Sequence, residues 1–143
     1  MLFKRINRTL AETVFMVVKN VSGSTITAGY SCVFDVGSSV DGVRVTQASS
    51  TDLQAYAGVA DADIADTAYV RIQVWGYRAS AYIYSSVGTS AIGDNLNPKA
   101  AQWGLEPVTG AGAYKAFAFL CEAITASSSS SYKTTAKVFI RAL

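Results

Sequence analysis

The feature that most limits the possible folds is a regular alternation of side chains over residues 68–77. Successive side chains of a β-strand point to opposite faces of a sheet, so one face of this segment carries Val70, Ile72 and Val74. The opposite face carries Arg71, Gln73, Trp75 and Tyr77. The first face is predicted to lie in the core, and the second to be partly covered by another element.

A second alternating row precedes this one and predicts a β-hairpin. Leu53, Ala55, Ala57 and Val59 recur at every second position, and residues 61–66 connect the two rows. The connector is polar except for Ile64, which we expect to fold the loop back onto the core.

Further strand-like segments occupy most of the remaining chain. Residues 13–21 carry apolar side chains at odd and even positions, which predicts burial on both faces near the middle. Residues 78–80 are predicted to turn the chain into a strand over 81–87, and residues 99–112 to form a long loop with Trp103 packed beneath it. Other strands are predicted at 25–35, 43–47, 114–124 and 132–143.

About eight to ten short strands, with no helix long enough for a parallel βαβ unit, predict an all-β fold. We expect a single compact antiparallel β-barrel or sandwich over residues 13–143, and we prefer the barrel because closure hides strand edges. Residues 1–12 lack a strong period and are predicted to form an N-terminal arm.

Composition narrows the class of function. The formal net charge is +2, too small for the concentrated basic face that nucleic-acid binding requires. The longest apolar run near the start, residues 14–18, is too short to span a membrane. Cys32 and Cys121 are widely spaced, and we expect two buried, unpaired thiols, with a disulfide as the less favoured alternative.

The residue types needed for catalysis are sparse. The chain has no histidine, which removes the commonest general base and metal ligand, so we expect no enzymatic activity and no cofactor. Asp61, Asp63 and Asp66 form an acidic cluster whose carboxylate oxygens are the kind of ligand that calcium binds. Their spacing, however, lacks the glycine and the glutamate of an EF-hand loop. An acidic hairpin turn is the favoured interpretation.

Two groups of residues are candidate partner contacts. If Trp75, Tyr77, Tyr82 and Tyr84 lie on adjacent strands and one face, their rings form a platform. Such a platform suits another subunit, a small internal core under the loop that holds Trp103, or a sugar, which is the least favoured of the three. In the arm, Phe3, Lys4, Arg5 and Arg8 combine an apolar anchor with the densest positive charge. The alternatives for the arm are a frayed terminus or a short helix.

Several motifs resemble those of small capsid decoration (cement) proteins of tailed bacteriophages. They are Gly58-Val59-Ala60, Ile64-Ala65, the strand over residues 69–77 ending in Trp75-Gly76-Tyr77, and the turn Gly93-Asp94-Asn95-Leu96. The resemblance covers about half of the chain.

The resemblance implies a non-enzymatic virion protein on the outer surface of a phage head, made in the host cytoplasm. It implies a homotrimer that binds and stabilises the major capsid protein, with no nucleic acid or membrane as partner. The competing hypothesis is a carbohydrate-binding or other ligand-binding β-module of a phage or bacterial surface.

Overall fold

The computed structural model describes residues 12–37, 41–85, 89–108, 117–125 and 132–142, and it confirms the all-β class. The strands of the main sheet are β1 (Thr13–Asn20), β2 (Ser31–Phe34), β3 (Arg44–Thr46), β4 (Tyr56–Ala60), β5 (Tyr69–Ser85), β7 (Asn95–Pro98), β8 (Leu105–Pro107), β9 (Ala118–Leu120) and β11 (Tyr132–Arg141). The short strands β6 (Thr89–Ser90) and β10 (Ile124–Thr125) pair with each other, and one 3-10 turn spans Leu53–Ala55.

The long strand β5 organises the main sheet. The order of the strands is β1-β3-β2-β4-β5-β11-β9-β7-β8, and β5 pairs in addition with β1 and β8. These additional pairings close two circuits of five strands each, and β5 belongs to both. The expectation of closure is therefore met by two small barrel-like circuits that share one strand.

The first circuit contains β1 to β4 and the first half of β5. Its core is formed by small and β-branched side chains from all five strands and the connecting loops. They are Val18, Ile26, Cys32, Val45, Ala57, Ala60, Ile64, Ile72 and Val74. Ile64 is 1% exposed and forms a bridge with Ile26, so the connector folds back onto the core as predicted.

The second circuit contains the second half of β5 with β11, β9, β7 and β8. Its core is a separate cluster of buried side chains. They are Tyr56, Val59, Ala81, Ile83, Leu96, Leu105, Ala118, Leu120, Ile124, Ala136, Val138 and Ile140. Tyr56 and Val59 come from β4, which therefore contributes to both cores.

The turn predicted at residues 78–80 does not exist, because β5 runs without interruption through this region. A β-bulge takes its place: Arg78 pairs with Val138 and Ala81 pairs with Ala136, so β5 advances three residues while β11 advances two. A bulge reverses the alternation of faces. Before the bulge the even-numbered Ile72, Val74 and Gly76 are buried, together with Gln73, and after it the odd-numbered Ala81, Ile83 and Ser85 are buried.

Other departures from the sequence prediction are smaller. The sheet is mixed, because β1 pairs with β3 and β5 pairs with β8 in parallel. Of the strand predicted over 25–35, the structure assigns residues 31–34 to β2. Within the described part of the segment 114–124, β9 and the start of β10 are separate strands.

Candidate interaction surface

The candidate contacts of the arm, Phe3, Lys4, Arg5 and Arg8, lie outside the described residues. The description begins at Glu12, which precedes β1 directly. The four predicted aromatic contacts of the sheet are all described.

All four aromatic residues lie on the single strand β5, and not on adjacent strands. Tyr77 pairs with Phe139 of β11, and Tyr82 pairs with Thr135. Phe139 and Thr135 alternate with the buried side chains of β11, and directly paired residues share a face. Tyr77 and Tyr82 are five positions apart, so only the bulge between them brings both onto the face turned away from the second core. We call this side of β1, β5, β11 and β9 the outer face.

The rings at the first end of this row form an aromatic cluster across three strands. The Trp75 ring meets the Phe139 ring edge-on at 5.4 Å, and Phe139 stacks on Phe119 of β9 at 5.2 Å. The guanidinium of Arg141 lies 5.2 Å from the centre of the Phe119 ring. All of these side chains are partly exposed, so this cluster remains accessible to a partner.

The rings at the other end are packed internally. Tyr82 meets Tyr30 edge-on at 5.0 Å, and Tyr30 stacks on Trp103 at 5.8 Å. The ring of Tyr84 lies directly over Gly104. The internal core under the Trp103 loop therefore accounts for Tyr82 and Tyr84, so Trp75, Tyr77, Tyr82 and Tyr84 do not form one continuous platform.

A more exposed apolar region lies on the outer face where β1 pairs with the start of β5, at the end of β5 opposite to Tyr82 and Tyr84. Val17 is 63% exposed, Tyr69 is 64% exposed and Phe15 is 38% exposed. Val17 lies opposite Arg71, whose guanidinium lies 4.8 Å from the Phe15 ring centre, and Lys19 Nζ lies 5.7 Å from the Tyr69 ring centre. We call Phe15, Val17, Lys19, Tyr69 and Arg71 the β1–β5 patch.

Sequence reasoning missed the β1–β5 patch. The apolar residues at both odd and even positions of β1 predicted burial on both faces, whereas only the face that carries Val18 is buried. The sequence did contain one signal, because Lys19 shares a face of its strand with Val17, and Arg71 shares a face of its strand with Tyr69. Charged side chains are almost never fully buried unless paired, so a face that carries them is rarely a core face.

The three acidic residues of the connector do not converge. Asp61 forms an ion pair with Arg71 at 2.7 Å, Asp63 accepts a hydrogen bond from the Ala28 amide, and Asp66 accepts one from the Gly23 amide. Across the described ranges, no group of three His, Cys, Asp or Glu residues is arranged to hold a metal ion. Asp63 and Asp66 instead fasten the connector to the loop between β1 and β2.

Comparison with solved structures identifies a similar fold. One similar structure is the N base of the head fiber protein gp8.5 of bacteriophage phi29. The TM-score is 0.53, the sequence identity is 14%, and the match covers 92% of this chain and 96% of the other. At this identity the likeness concerns the fold. No protein-family model and no curated protein sequence matches the chain.

The two cysteines differ in burial. Cys32 and Cys121 are both free thiols, as predicted, but only Cys32 is fully buried, and burial raises its pKa to about 12. Cys121 is partly exposed, so the expectation of two buried thiols is wrong for this residue.

In the stretches that the structure describes, no helix combines the length and apolar character needed to cross a bilayer.

Proposed function

We propose that this chain is a structural protein of a phage virion that decorates the capsid. In this proposal it sits on the outer surface of the head, binds the major capsid protein and stabilises it. The observation that carries the proposal is the fold likeness to the N base of a phage head fiber, which extends over 92% of the chain.

The surface of the protein suits this role. The outer face presents the partly exposed aromatic cluster around Trp75 and, nearer the start of β5, the β1–β5 patch, and cations accompany both. Exposed aromatic side chains and arginines are enriched in protein interfaces. Many copies attached to one lattice, or a trimer with three equivalent contacts, gain avidity from repetition even if each contact is weak.

The proposed role requires no catalytic step and no cofactor. The protein contributes a rigid β-fold and a contact surface, and the free energy of binding opposes separation of neighbouring capsid subunits. We propose the capsid protein and other copies of this chain as partners, and neither nucleic acid nor a membrane.

A co-sedimentation assay tests the proposal. The purified protein is mixed with expanded, DNA-free heads of its phage that lack this protein, and bound protein is measured after pelleting. We expect saturable binding, and a loss of binding in the Val17→Ser, Tyr69→Ser double variant. Ile92→Ser is the matched control, because Ile92 is 70% exposed in the turn before β7 and lies outside the β1–β5 patch.

Two results would contradict the proposal. The first is that the wild-type protein remains in the supernatant at every head concentration. The second is that it binds a glycan array and does not bind the heads. The second result would support the carbohydrate-binding alternative.

A further inference from the structure

The strand β1 has one paired edge and one edge that is open over most of its length. Residues 13–19 pair with β5 along the first edge. On the second edge β3 pairs with Lys19 and Asn20, and the partner of Lys19 is Arg44, the first residue of β3. Within the described ranges, no strand continues beside Phe15 and Val17 on this second edge.

The hydrogen bonds at the end of β1 show where its main-chain groups point. The Lys19 amide donates to the Val43 carbonyl on the open side at 2.8 Å, and the Asn20 amide donates to the Ala68 carbonyl on the β5 side at 3.0 Å. Main-chain groups alternate in this way along a strand. The N–H and C=O groups of Phe15 and Val17 therefore point toward the open edge, in phase with Lys19.

The side chains beside this edge define what kind of segment fits. Exposed Val17 and Phe15 offer apolar contacts, and Val17 is flanked by Lys19 on its own strand and Arg71 on β5. Arg71 forms an ion pair with Asp61, whereas no described carboxylate lies within ion-pair distance of Lys19. A segment that carries an acidic side chain near Lys19 complements this charge.

We propose that the open edge of β1 binds an extended segment of the major capsid protein as an added strand. The segment pairs its main chain with Phe15 and Val17, places apolar side chains beside the β1–β5 patch and directs a carboxylate toward Lys19. Main-chain pairing supplies affinity in such strand addition, and side-chain contacts supply specificity. This inference rests on the proposed function, because it names the capsid protein as the source of the strand.

A proline substitution tests the pairing directly. Val17→Pro removes the outward N–H, while the hydrogen bonds to β5 are made by the neighbouring even-numbered residues and remain. Proline is tolerated on edge strands when its missing N–H faces away from the sheet. We expect Val17→Pro to weaken head binding about tenfold or more, because an interstrand hydrogen bond is lost and the ring obstructs the added strand.

Val17→Ala is the matched control, because it shortens the side chain and keeps the N–H. It is expected to weaken binding much less than Val17→Pro, provided that thermal melting shows both variants folded. Lys19→Glu is expected to weaken binding at low salt, with the difference shrinking as salt screens the charge. Equal binding by Val17→Pro and Val17→Ala would overturn the proposal.

Hydrogen exchange at the Val17 amide separates the possible occupants of the edge. We expect rapid exchange in the free protein and protection on heads. Protection that appears with increasing protein concentration, without heads, would assign the edge to a second copy. Protection in the dilute free protein that vanishes on deletion of residues 1–11 would assign it to the chain's own N-terminal segment. Either result would overturn the proposal.

Failure of this inference is distinguishable from failure of the proposed function. If the wild-type protein does not bind heads at all, the proposed function is wrong. If the wild-type protein binds heads and Val17 exchanges equally fast in the bound and free states, only the strand-addition site is wrong.

Discussion

Gly76 packs so closely against the main-chain carbonyl of Glu12 that a methyl group on Gly76 would overlap its oxygen. Gly76 also has a φ of +99°, in the region that favours glycine. Gly76→Ala is therefore expected to lower the free energy of unfolding by roughly 2–5 kcal/mol, from backbone strain and steric overlap together. Chemical denaturation measures the loss.

Gly93→Ala is the control for this prediction. Gly93 has a φ of +91°, but nothing lies within 4 Å of an added methyl group. The variant should therefore show the backbone strain alone, about 1–2 kcal/mol. Equal losses in the two variants would mean that the contact between Gly76 and Glu12 does not restrict residue 76.

A second prediction contrasts two arginines that share Asp61. The Arg78 side chain is 12% exposed and donates to the carbonyls of Ala60 and Ser80, each at 2.8 Å, whereas Arg71 is 62% exposed. Truncating Arg78 removes both hydrogen bonds, of which the one to Ala60 is partly buried, and a hydrogen bond from a charged donor contributes about 1.5–3 kcal/mol. Arg78→Ala should therefore lower the free energy of unfolding by that amount, as measured by urea denaturation.

Arg71→Ala is the matched variant. An exposed ion pair contributes about 0–1 kcal/mol, so its loss should be small and should shrink further at high salt. A larger loss for Arg71→Ala than for Arg78→Ala would contradict the assignment of Arg78 as the structural partner of the strands.

The third prediction concerns alkaline pH. Burial raises the pKa of Cys32 from its ordinary value of 9.0 to about 12, so the native protein retains a proton that the unfolded chain releases above pH 9. The thiol's contribution to stability is complete below pH 9 and is lost as the pH rises toward 12. The free energy of unfolding should therefore fall between pH 9 and 12, with a slope of up to about 1.4 kcal/mol per pH unit from this group.

Cys32→Ala isolates this contribution. Burial also raises the pKa of Tyr56, so the variant should retain some alkaline destabilisation but show a shallower slope than the wild type above pH 9. Parallel curves of unfolding free energy against pH for the two proteins would contradict the prediction.

The fourth prediction concerns the N-terminal arm. Deletion of residues 1–11 should leave the melting temperature unchanged and reduce head binding, because Phe3, Lys4, Arg5 and Arg8 are expected to contact a partner. Ordering such a segment costs roughly 1–2 kcal/mol per residue, which its contacts must exceed. Thermal melting and co-sedimentation measure the two effects.

Deletion of residues 1–12 is the informative comparison, because it also removes the Glu12 carbonyl that packs on Gly76. A drop in melting temperature for this deletion alone would locate the boundary of the folded domain at Glu12. A drop for both deletions would show that the arm belongs to the core.

The fifth prediction is self-association, most simply as a trimer. The partly exposed cluster of Trp75, Phe119 and Phe139 gives the purified protein a surface that a second copy can cover. Analytical ultracentrifugation at micromolar concentration should detect a species near three times 15.1 kDa. A single 15.1 kDa species under these conditions would contradict the prediction.

The sequence predicted the parts of the fold in which regular alternation determines the outcome. Ala136, Val138 and Ile140 alternate with Lys137 and Arg141, and β11 buries the first set and exposes or partly exposes the second. The burial of Ile64 was also correctly predicted. Ile64 is the single large apolar residue in a polar connector, so it is the one side chain of that loop that gains substantially from burial.

The continuity of β5 was not predictable in the same way. Arg78-Ala79-Ser80 has the composition of a turn, and only the register against β11 shows that the chain bulges there instead. The predicted aromatic platform on two adjacent strands required a turn at residues 78–80, so it depended on this misprediction. The bulge keeps the four aromatic residues on one face, while Tyr30 and Trp103, from distant loops, cover one end of the row.

The position of β5 in both circuits has a consequence for synthesis of the chain. Every strand of the first circuit lies before residue 86, so this core can assemble while the rest of the chain is still on the ribosome. The second half of β5 must wait for β11, which emerges nearly fifty residues later. During that interval the edge to which β11 later binds is open, and long-range pairing of this kind is slow and prone to aggregation. Nascent chains stalled just before β11 should therefore be the species most dependent on chaperones.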